Sequence, residues 1–438
     1  MPARRWPMAD RIMMFAIPGF FILMAIELLA AWIMKRRVYR LNDAINSIGL
    51  GVLSQVVGVF AKVLTIGIYA WVVQKVALFE LPMDSAWTWI SALVLYDFCY
   101  YWLHRMGHEV NVLWAAHVVH HQSERYNLST ALRQTGSGVL LGWIFYLPMA
   151  LLGYPVEVFA VVAVIDLLYQ YWIHTELVGK LGWFDKVFAS PSNHRAHHAV
   201  NDRYLDRNYG GIFILWDRMF GSFVEEDDID RPIYGTRAPL RSWNPLWANA
   251  EVYWAMAKDA WHARRWGDKL RVWFARPGWR PADVAERFPK PDFDLHRVDY
   301  DPPLSRALSI YCLAQFAMLL GMGVHFLQVA PALPLLQAVL YVVFLVASLC
   351  VVGALLEARA AAPWLEAARL LLLGVVPLAT GQWLDGSVLP RSVAIAVAVV
   401  CATSLAALPL AWRGQPAPTG TAASPAQAPD AIGETALR

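Results

Sequence analysis

Nine of the twelve histidines in this 438-residue chain lie between residues 104 and 198, at spacings typical of metal ligands. They form one H-x3-H box, two H-x2-H-H boxes and one single residue: His104, His108, His117, His120, His121, His174, His194, His197 and His198. Residues three or four positions apart share one face of a helix, so each box aims two or three imidazoles in one direction. Converging imidazoles bind transition metals such as zinc, iron or copper. The sequence therefore predicts a metal site.

The number of imidazoles indicates two metal ions. A tetrahedral zinc site takes four ligands, and a catalytic one takes three plus water. The carboxylate-bridged iron pair of helical bundles needs E-x-x-H motifs, which the boxes lack. A site of two histidines and one carboxylate needs fewer imidazoles. Two ions beside apolar helices would suit oxygen activation against a lipid C–H bond, which zinc cannot perform because it has no redox chemistry.

Composition places this metal site in a membrane protein. Hydrophobic residues make up 58% of the chain, and the mean hydropathy is +0.40, both high for a soluble domain. The four cysteines are scattered singly and predict no disulfide framework. The predicted fold class is all-α, a multi-pass integral membrane protein with about nine transmembrane helices. These spans are expected near 13–34, 44–77, 86–103, 137–152, 155–173, 304–327, 332–356, 364–383 and 389–411, with 137–173 either spanning or re-entering.

Charge predicts which side of the membrane the histidines face. Four basic residues lie between 35 and 40, whereas the turn 77–85 carries Glu80 and Asp84 and no lysine or arginine. The positive-inside rule then places 35–43 in the cytoplasm and 77–85 outside, although the arginines before residue 12 weakly favour the reverse for the N-terminus. The third span would return to the cytosol at His104. All nine histidines are therefore expected to face the cytosol, from a bacterial inner membrane or, in a eukaryote, the endoplasmic reticulum.

Five regions follow from these patterns. They are an N-terminal span with a basic loop (1–43), a catalytic domain with the three histidine boxes (44–224), a basic tryptophan-rich segment (225–303), a C-terminal four-helix membrane region (304–411) and a disordered tail (412–438). Basic residues among aromatics can indicate nucleic-acid binding. In a membrane protein they favour an interfacial segment with indoles at headgroup depth. No nucleic-acid partner is predicted.

The boxes and the strings around them resemble a known superfamily. Three boxes in this order are similar to the fatty acid hydroxylase/sterol desaturase superfamily of membrane di-iron enzymes. Five strings resemble its alkylglycerol monooxygenase family: RLNDAINSIGLGVLSQ (40–55), DFCYYWLHRMGHEVNVLWAAHVVHHQSERYNLSTALRQ (97–134), LYQYWIHTELVGKLG (168–182), PSNHRAHHAVNDRYLDRNYGG (191–211) and WDRMFGSF (216–223). The resemblance implies two iron ions, tetrahydrobiopterin as reductant, and cleavage of the ether bond of glyceryl ethers to fatty aldehyde and glycerol. The partners expected are this lipid substrate, the membrane and an external electron donor.

The resemblance also implies roles for individual residues. The eight box histidines would be metal ligands, and His174 would lie near the metals as a ligand or as a neighbour. Asp97 and Glu109 are expected to accept imidazole N–H groups, or alternatively to cap a helix or pair with Arg105. Asn208 is expected either in the catalytic site or in a turn.

Other functions fit parts of the pattern. A related lipid or sterol hydroxylase or desaturase could use the same scaffold with another electron donor. A zinc membrane hydrolase is a less favoured hypothesis, because no H-E-x-x-H motif is present. A metal transporter would place its histidines within the spans rather than at their ends.

Overall fold

Helices provide the regular structure of the part of the chain that the computed structural model describes, residues 8–415. No β-strand occurs there, only three isolated bridges. The α-helices are α1 (Met8–Ile33), α2 (Leu41–Lys75), α3 (Ala86–Glu109), α4 (Asn111–His121), α5 (Leu128–Ala131), α6 (Gly138–Gly142), α7 (Leu147–Leu151), α8 (Val156–Trp172), α9 (Pro191–His197), α10 (Leu215–Phe220), α11 (Pro245–His262), α12 (Trp266–Phe274), α13 (Ala282–Arg287), α14 (Arg306–Val329), α15 (Leu335–Leu356), α16 (Ala362–Thr380) and α17 (Arg391–Trp412). The predicted all-α class is confirmed. Residues 416–438, most of the predicted disordered tail, lie outside the described range.

Six helices within residues 8–415 are long and apolar enough to cross a membrane: α1 from Arg11, α2, α14 extended to Ala332, α15, α16 and α17. The chain is therefore a multi-pass membrane protein. Each of the six matches a predicted span, and the four C-terminal ones begin and end within about three residues of their predicted bounds.

The other three predicted spans do not form such helices, so the count of nine is not confirmed. Segment 86–103 becomes α3, which carries polar and histidine residues at its end. Segment 137–152 is broken into α6, a 3₁₀ turn and α7. Segment 155–173 becomes α8, whose 17 residues extend only about 25 Å, less than the ~30 Å hydrocarbon thickness.

Helix α2 holds the two halves of the molecule together. Its Leu53 and Val56 are buried in the core of the C-terminal helices α14–α17. Its Tyr69 and Val72 are buried in a second core with α3, α7 and α8. The C-terminal bundle is therefore packed directly against the histidine-bearing half.

A break between α3 and α4 positions the first two histidine boxes. Val110 adopts extended backbone angles (φ −122°, ψ 121°) between the two helices. The Asn111 side chain donates to the Val272 carbonyl at 2.9 Å, and its backbone N–H donates to the Ala275 carbonyl, so the break is fixed against α12. Gly107 on α3 lies beside His117 on α4, and a Cβ there would be in van der Waals contact with His117 at 3.5 Å. The chain thus turns back, and the box on α4 faces the box on α3.

Candidate metal centre

The nine histidines meet in two groups. Within each group the ligand nitrogens all lie within 4.8 Å of one another. The first group is His104, His108, His117, His121 and His197. The second group is His120, His174, His194 and His198. All are buried except His117, which is half-buried, so the structure brings every predicted histidine into one centre.

The groups do not follow the sequence boxes. His117 and His121 are four residues apart on α4 and join the first group, whereas His120 joins the second. At the end of α9, His194 and His198 belong to the second group and His197 to the first. The first and last histidines of each box are four residues apart and share one helical face. The middle histidine, His120 or His197, points to another face. Each H-x2-H-H box therefore contributes to both groups and ties them together.

Backbone carbonyls orient four of the imidazoles. The Nδ1–H groups of His104 and His120 donate to the carbonyls of Tyr209 at 2.8 Å and Arg133 at 2.9 Å. In the same way, His174 donates to Gln170 at 2.7 Å, and His197 donates to Arg207 at 2.8 Å. A proton on Nδ1 leaves the Nε2 lone pair free, which is the form that binds a metal.

The Nε2 atoms face each other in a way that suits a shared cation. His120 Nε2 and His174 Nε2 are 3.2 Å apart, although both are lone-pair acceptors once Nδ1 is protonated. His194 Nε2 lies 3.1 Å from His174 Nε2 and 3.2 Å from His198 Nε2. Two nitrogens at about 2.0–2.1 Å from one ion would be roughly 2.9–3.4 Å apart. The second group therefore fits one metal ion.

The first group fits a metal ion for the same reasons. His117 Nε2 is 3.0 Å from the Nε2 atoms of both His104 and His121. The buried Nε2 atoms of His108 and His197 have no hydrogen-bond partner among the described residues. Buried nitrogens without partners are costly unless a ligand satisfies them. An ion at the centre of these five imidazoles would do so.

Burial also keeps the imidazoles in their ligating form. It lowers the pKa of His120 to about 4. Burial, followed by the neighbouring His108 and His197, lowers the pKa of His121 well below its usual value. Histidines that are neutral at physiological pH need lose no proton to bind a metal.

The two carboxylates expected beside the imidazoles bind other groups. Asp97 accepts hydrogen bonds from the backbone N–H groups of Ile212 at 2.6 Å and Phe213 at 3.0 Å, and from the Trp216 indole at 2.8 Å. Glu109 pairs with Arg105 at 2.9 Å. Asp97 lies two turns, about 10 Å, before His104 on α3. Glu109 follows His108 directly, so its side chain is rotated about 100° around the helix axis from that imidazole. For His104, His120, His174 and His197, backbone carbonyls accept the imidazole protons instead.

Asn208 is fixed in the segment between α9 and α10 by its own side chain. Its backbone has a positive φ of 57°, which asparagine tolerates better than most residues. Its side chain donates to the carbonyls of Asn193 at 3.0 Å and Val224 at 2.8 Å, and accepts from the Val224 N–H. Asn208 thus joins the start of α9 to the segment after α10.

Two acidic residues near the centre were not singled out in the sequence. Asp217 is fully buried and accepts from the backbone N–H groups of Tyr209 and Gly210, both at 2.8 Å, so it fixes the carbonyl that orients His104. Asp206 lies 3.6 Å from His108 Nδ1. Asp217 occurs in the string 216–223, but nothing in that string relates it to a histidine more than 100 residues earlier.

An apolar cavity of about 580 Å³ reaches the metal centre. Its wall comes from α1, α2, α3, α4, α8, α14 and residues 131–147, and includes His104, His117, His120 and His174. Both histidine groups therefore open onto it. Among the described residues that line it, none is Asp, Glu, Lys or Arg. The volume lies within the range of about 300–1,000 Å³ usual for ligand pockets.

Comparisons with known proteins agree with this architecture. The family model described as fatty acid hydroxylase matches residues 89–222, which contain all nine histidines. Alkylglycerol monooxygenase of Homo sapiens is 38% identical over 362 residues, covering 82% of this chain and 80% of that protein. The Danio rerio alkylglycerol monooxygenase is 38% identical with the same coverage of each chain. Ornithine lipid hydroxylase OlsE of Rhizobium tropici is 30% identical over 138 residues, covering 31% of this chain and 41% of that protein. No solved structure matches.

Together, the fold and the histidine centre define a membrane-embedded monooxygenase of the fatty acid hydroxylase type. The chain belongs to the alkylglycerol monooxygenase family. The resemblance and the enzyme class predicted from the sequence are thereby confirmed.

Proposed function

We propose that this protein is a di-iron monooxygenase that hydroxylates an alkylglycerol at the carbon next to its ether oxygen, which yields a fatty aldehyde and glycerol. The observation that carries the proposal is the apolar cavity touching both histidine groups. A lipid chain in that cavity would place a C–H bond beside the metals. Family membership supplies the substrate class, since the relatives that cover most of the chain are named for alkylglycerols.

The nine histidines are proposed as the ligands of two irons, five in the first group and four in the second. When bound, the iron pair would supply the electron-transfer chemistry that reduces dioxygen and oxidises the C–H bond. The chain's own contribution is to bring the nine imidazoles together, to orient four of them through hydrogen bonds to backbone carbonyls, and to keep all but the half-buried His117 buried. Asp97, Asp217 and Asn208 would act by holding the segment 207–224 that provides two of those carbonyls.

The reaction balances with one external two-electron donor. One oxygen atom of O₂ enters the C–H bond, and the other leaves as water with two electrons and two protons. The hydroxylated carbon is then a hemiacetal carbon. Its bond to the ether oxygen breaks, and the hydroxyl proton passes to the leaving glycerol oxygen. Tetrahydrobiopterin is the proposed donor, with a separate redox protein as the alternative.

Stacked aromatic rings form part of the cavity wall. Tyr69 stacks on Phe159 at 4.2 Å between ring centroids, and Tyr96 stacks on Tyr146 at 4.7 Å. All four line the cavity. This wall would hold the alkyl chain and exclude water from the reacting carbon.

The reaction is tested with the full chain in lipid nanodiscs. We expect fatty aldehyde from a 1-O-alkylglycerol, oxygen and reduced pterin, together with about two irons per chain. The matching fatty-acid ester of glycerol serves as the control, because it lacks the ether methylene. One zinc with no iron, together with release of fatty acid from the ester, would instead indicate the hydrolase.

A second candidate is hydroxylation of a lipid without cleavage, which the similarity to ornithine lipid hydroxylase over 138 residues favours. Its product would keep the new hydroxyl group on an intact lipid. Mass spectrometry of the products separates the two reactions.

We further propose that the histidine centre faces the cytosol. Arg36 donates to the Glu176 carbonyl at 2.8 Å, and Arg40 pairs with Asp299 at 2.6 Å, so the basic loop packs on the histidine side of the molecule. The positive-inside rule assigns that loop to the cytoplasm. In this arrangement α3, α6–α7 and α8 complete about nine crossings or re-entrant segments of a bacterial inner membrane or, in a eukaryote, the endoplasmic reticulum.

Cysteine labelling checks this topology. Cys99, Cys312 and Cys401 are buried and Cys350 is half-buried, so a Cys350→Ala parent should give a low background. A membrane-impermeant thiol reagent should label Asp84→Cys in intact cells. It should label Asp202→Cys, at a position whose side chain is 94% exposed, only after permeabilisation. Labelling of both sites in intact cells would contradict the cytosolic assignment.

The five sequence regions are retained as a proposed division. In 225–303, the helices α11 and α12 expose Trp261, Trp266 and Leu270 by 67–80%. Exposed indoles beside arginines and lysines support an interfacial role for this region. The C-terminal region contributes Leu320, Val324 and other α14 residues to the cavity wall, so it would also shape the active site.

The cavity is proposed to receive its lipid from the bilayer beside α14. Val324 lines the cavity and is 42% exposed, so it lies at the rim. Val324→Trp should lower kcat/KM for long-chain alkylglycerols by about tenfold, as expected for roughly 1–3 kcal/mol of crowding. Iron content should not change. Ile310→Trp is the matched control, since Ile310 is 59% exposed on the same helix and lies outside the cavity. Equal rates for the two variants would contradict entry at this rim.

A further inference from the structure

Besides the histidines, the tyrosines, Thr65 and Gln170, four polar side chains from two neighbouring segments of the chain line the cavity. They are Ser54 and Gln55 on α2, and Gln134 and Thr135 after α5. We propose that they form a subsite that binds the hydroxyl groups of a small uncharged headgroup. This inference rests on the proposed function and deepens it, because it assigns the part of the site that recognises glycerol.

The two polar pairs lie side by side because the two chain segments are pressed together. A Cβ added to Gly51 would lie 2.4 Å from the Leu132 carbonyl oxygen. A Cβ added to Gly136 would lie 2.9 Å from a methyl carbon of Leu53. Residues 54–55 and 134–135 follow directly on these contacts. They therefore form one polar patch, which we call the headgroup patch.

The headgroup patch adjoins the second histidine group. Arg133 precedes Gln134, and its carbonyl accepts the Nδ1–H of His120 at 2.9 Å. His120 itself lines the cavity. In a 1-O-alkylglycerol the two hydroxyl oxygens are four and five bonds from the carbon that the proposed reaction oxidises. A headgroup held by the patch would therefore leave that carbon beside the metals.

The headgroup patch has hydrogen-bonding capacity to offer. The Gln134 amide donates to the Ala131 carbonyl at 3.1 Å, which fixes the side chain and leaves its own carbonyl as an acceptor. Asn249 accepts from the Gly136 N–H at 2.8 Å and steadies the next turn. Gln55 adds two donors and an acceptor within the cavity wall. Hydroxyl groups both donate and accept, so they match this mixed set.

The absence of charge in the wall defines the headgroup further. No acidic or basic side chain occurs among the described cavity residues. Moving a phosphate, carboxylate or ammonium group into such surroundings costs several kcal/mol unless it is paired. A neutral diol headgroup carries no such cost. The cavity should therefore select neutral ether lipids over charged ones.

The test measures binding without oxygen, so that no turnover occurs. The full chain in nanodiscs is titrated with radiolabelled 1-O-hexadecylglycerol, its 3-phosphate and hexadecyl methyl ether, which has the same ether bond but no hydroxyl group. We expect the alkylglycerol to bind more tightly than the other two. Gln55→Leu and Gln134→Leu should each weaken alkylglycerol binding about three- to tenfold, as for one lost hydrogen bond. Binding of the methyl ether should not fall.

Two controls protect this test. Thr403→Val removes a hydroxyl on α17 that lies outside the cavity and donates to the Val399 carbonyl at 2.8 Å, so it should change the binding of neither lipid. Gln55→Met keeps the side-chain size and should behave like Gln55→Leu. Iron content at the parent level confirms that each variant is folded.

The outcomes separate the headgroup patch from the proposed reaction. Equal affinities of the parent protein for all three lipids, or leucine variants that keep the parent preference, would overturn the patch even if aldehyde is still formed. Variants that lose the preference while the parent forms no aldehyde would support the patch and reject ether cleavage. In the supporting case with turnover, KM for alkylglycerol rises in the variants more than kcat falls.

Discussion

Replacing His121 or His198 by alanine is expected to abolish alkylglycerol turnover while the protein still inserts into the membrane. His121 belongs to the first histidine group and His198 to the second, and both are buried. Each supplies one of few nitrogens around its proposed ion, whereas membrane insertion depends on the six long apolar helices. Loss of a group that merely orients a ligand costs about 10–100-fold. Loss of the ligand itself should cost more. The same outcome is expected for His104, His120 and His197.

The iron content of each variant is measured together with its turnover, to show whether the activity is lost because a metal ion is lost. Each alanine variant should lose about one of two irons, because each group is proposed to hold one. His296→Ala is the matched control, since His296 is exposed and lies outside both groups. It should keep both irons and full activity. Full activity in two or more of the five ligand variants would overturn the two-metal assignment.

The sequence predicts this centre well because histidine spacing is a local property. His104 and His108, or His194 and His198, are one helical turn apart wherever their helix lies. The C-terminal spans could be predicted equally well. Each is a continuous apolar run bounded by polar or proline residues, such as Pro334 before α15. Local periodicity and hydropathy were sufficient for both.

Features that depend on distant contacts could not be predicted from the sequence. The approach of the box on α4 to the box on α3 depends on the break at Val110, which is held by contacts with α12 some 160 residues later. The acceptors for His104 and His120 are the backbone carbonyls of Tyr209 and Arg133. A carbonyl is present at every residue, so side-chain identity gives no signal for this role. A search for acceptors among the side chains alone, such as Asp97 and Glu109, could not find these carbonyls.

The shorter apolar segments show a different limit. Hydropathy in 137–173 indicated spans or a re-entrant pair, whereas the chain forms the interrupted α6–α7 and the 17-residue α8. Gly138 and Gly142 in this region line the cavity. The same small residues that weaken a continuous helix allow close packing there, since a Cβ would lie 2.7 Å from Thr135 at Gly138 and 3.3 Å from Leu103 at Gly142. Apolar character was predicted correctly, but its use in a cavity wall required the packed structure.

Arg133→Met is expected to lower iron affinity and turnover by about 10–100-fold, the usual effect of removing a partner that supports metal ligands. Arg133 is almost fully buried. Its guanidinium donates to the Val119 carbonyl at 2.7 Å, the Asn46 side chain at 2.8 Å and the Gln122 side chain at 3.3 Å. It therefore ties α2 to the end of α4 that carries three histidines. Burial lowers the pKa of Arg133 to about 10, so the group is still charged at neutral pH.

Methionine fills much of the arginine volume but leaves these buried acceptors without partners, at about 1–3 kcal/mol each. Without these bonds the backbone at residue 133 would be free to shift. His120 would then lose the carbonyl that orients its imidazole. Arg133→Lys should restore the charge without the three hydrogen bonds, since an ammonium group does not reproduce the planar fork of guanidinium.

Arg125→Met is the matched control, because that side chain is 39% exposed. Iron titration, followed by turnover at saturating iron, shows whether the variant is slow because it binds iron weakly. If turnover returns at high iron, Arg133 acts by positioning His120. If both stay at parent levels throughout, the histidine groups hold α4 in place without the arginine.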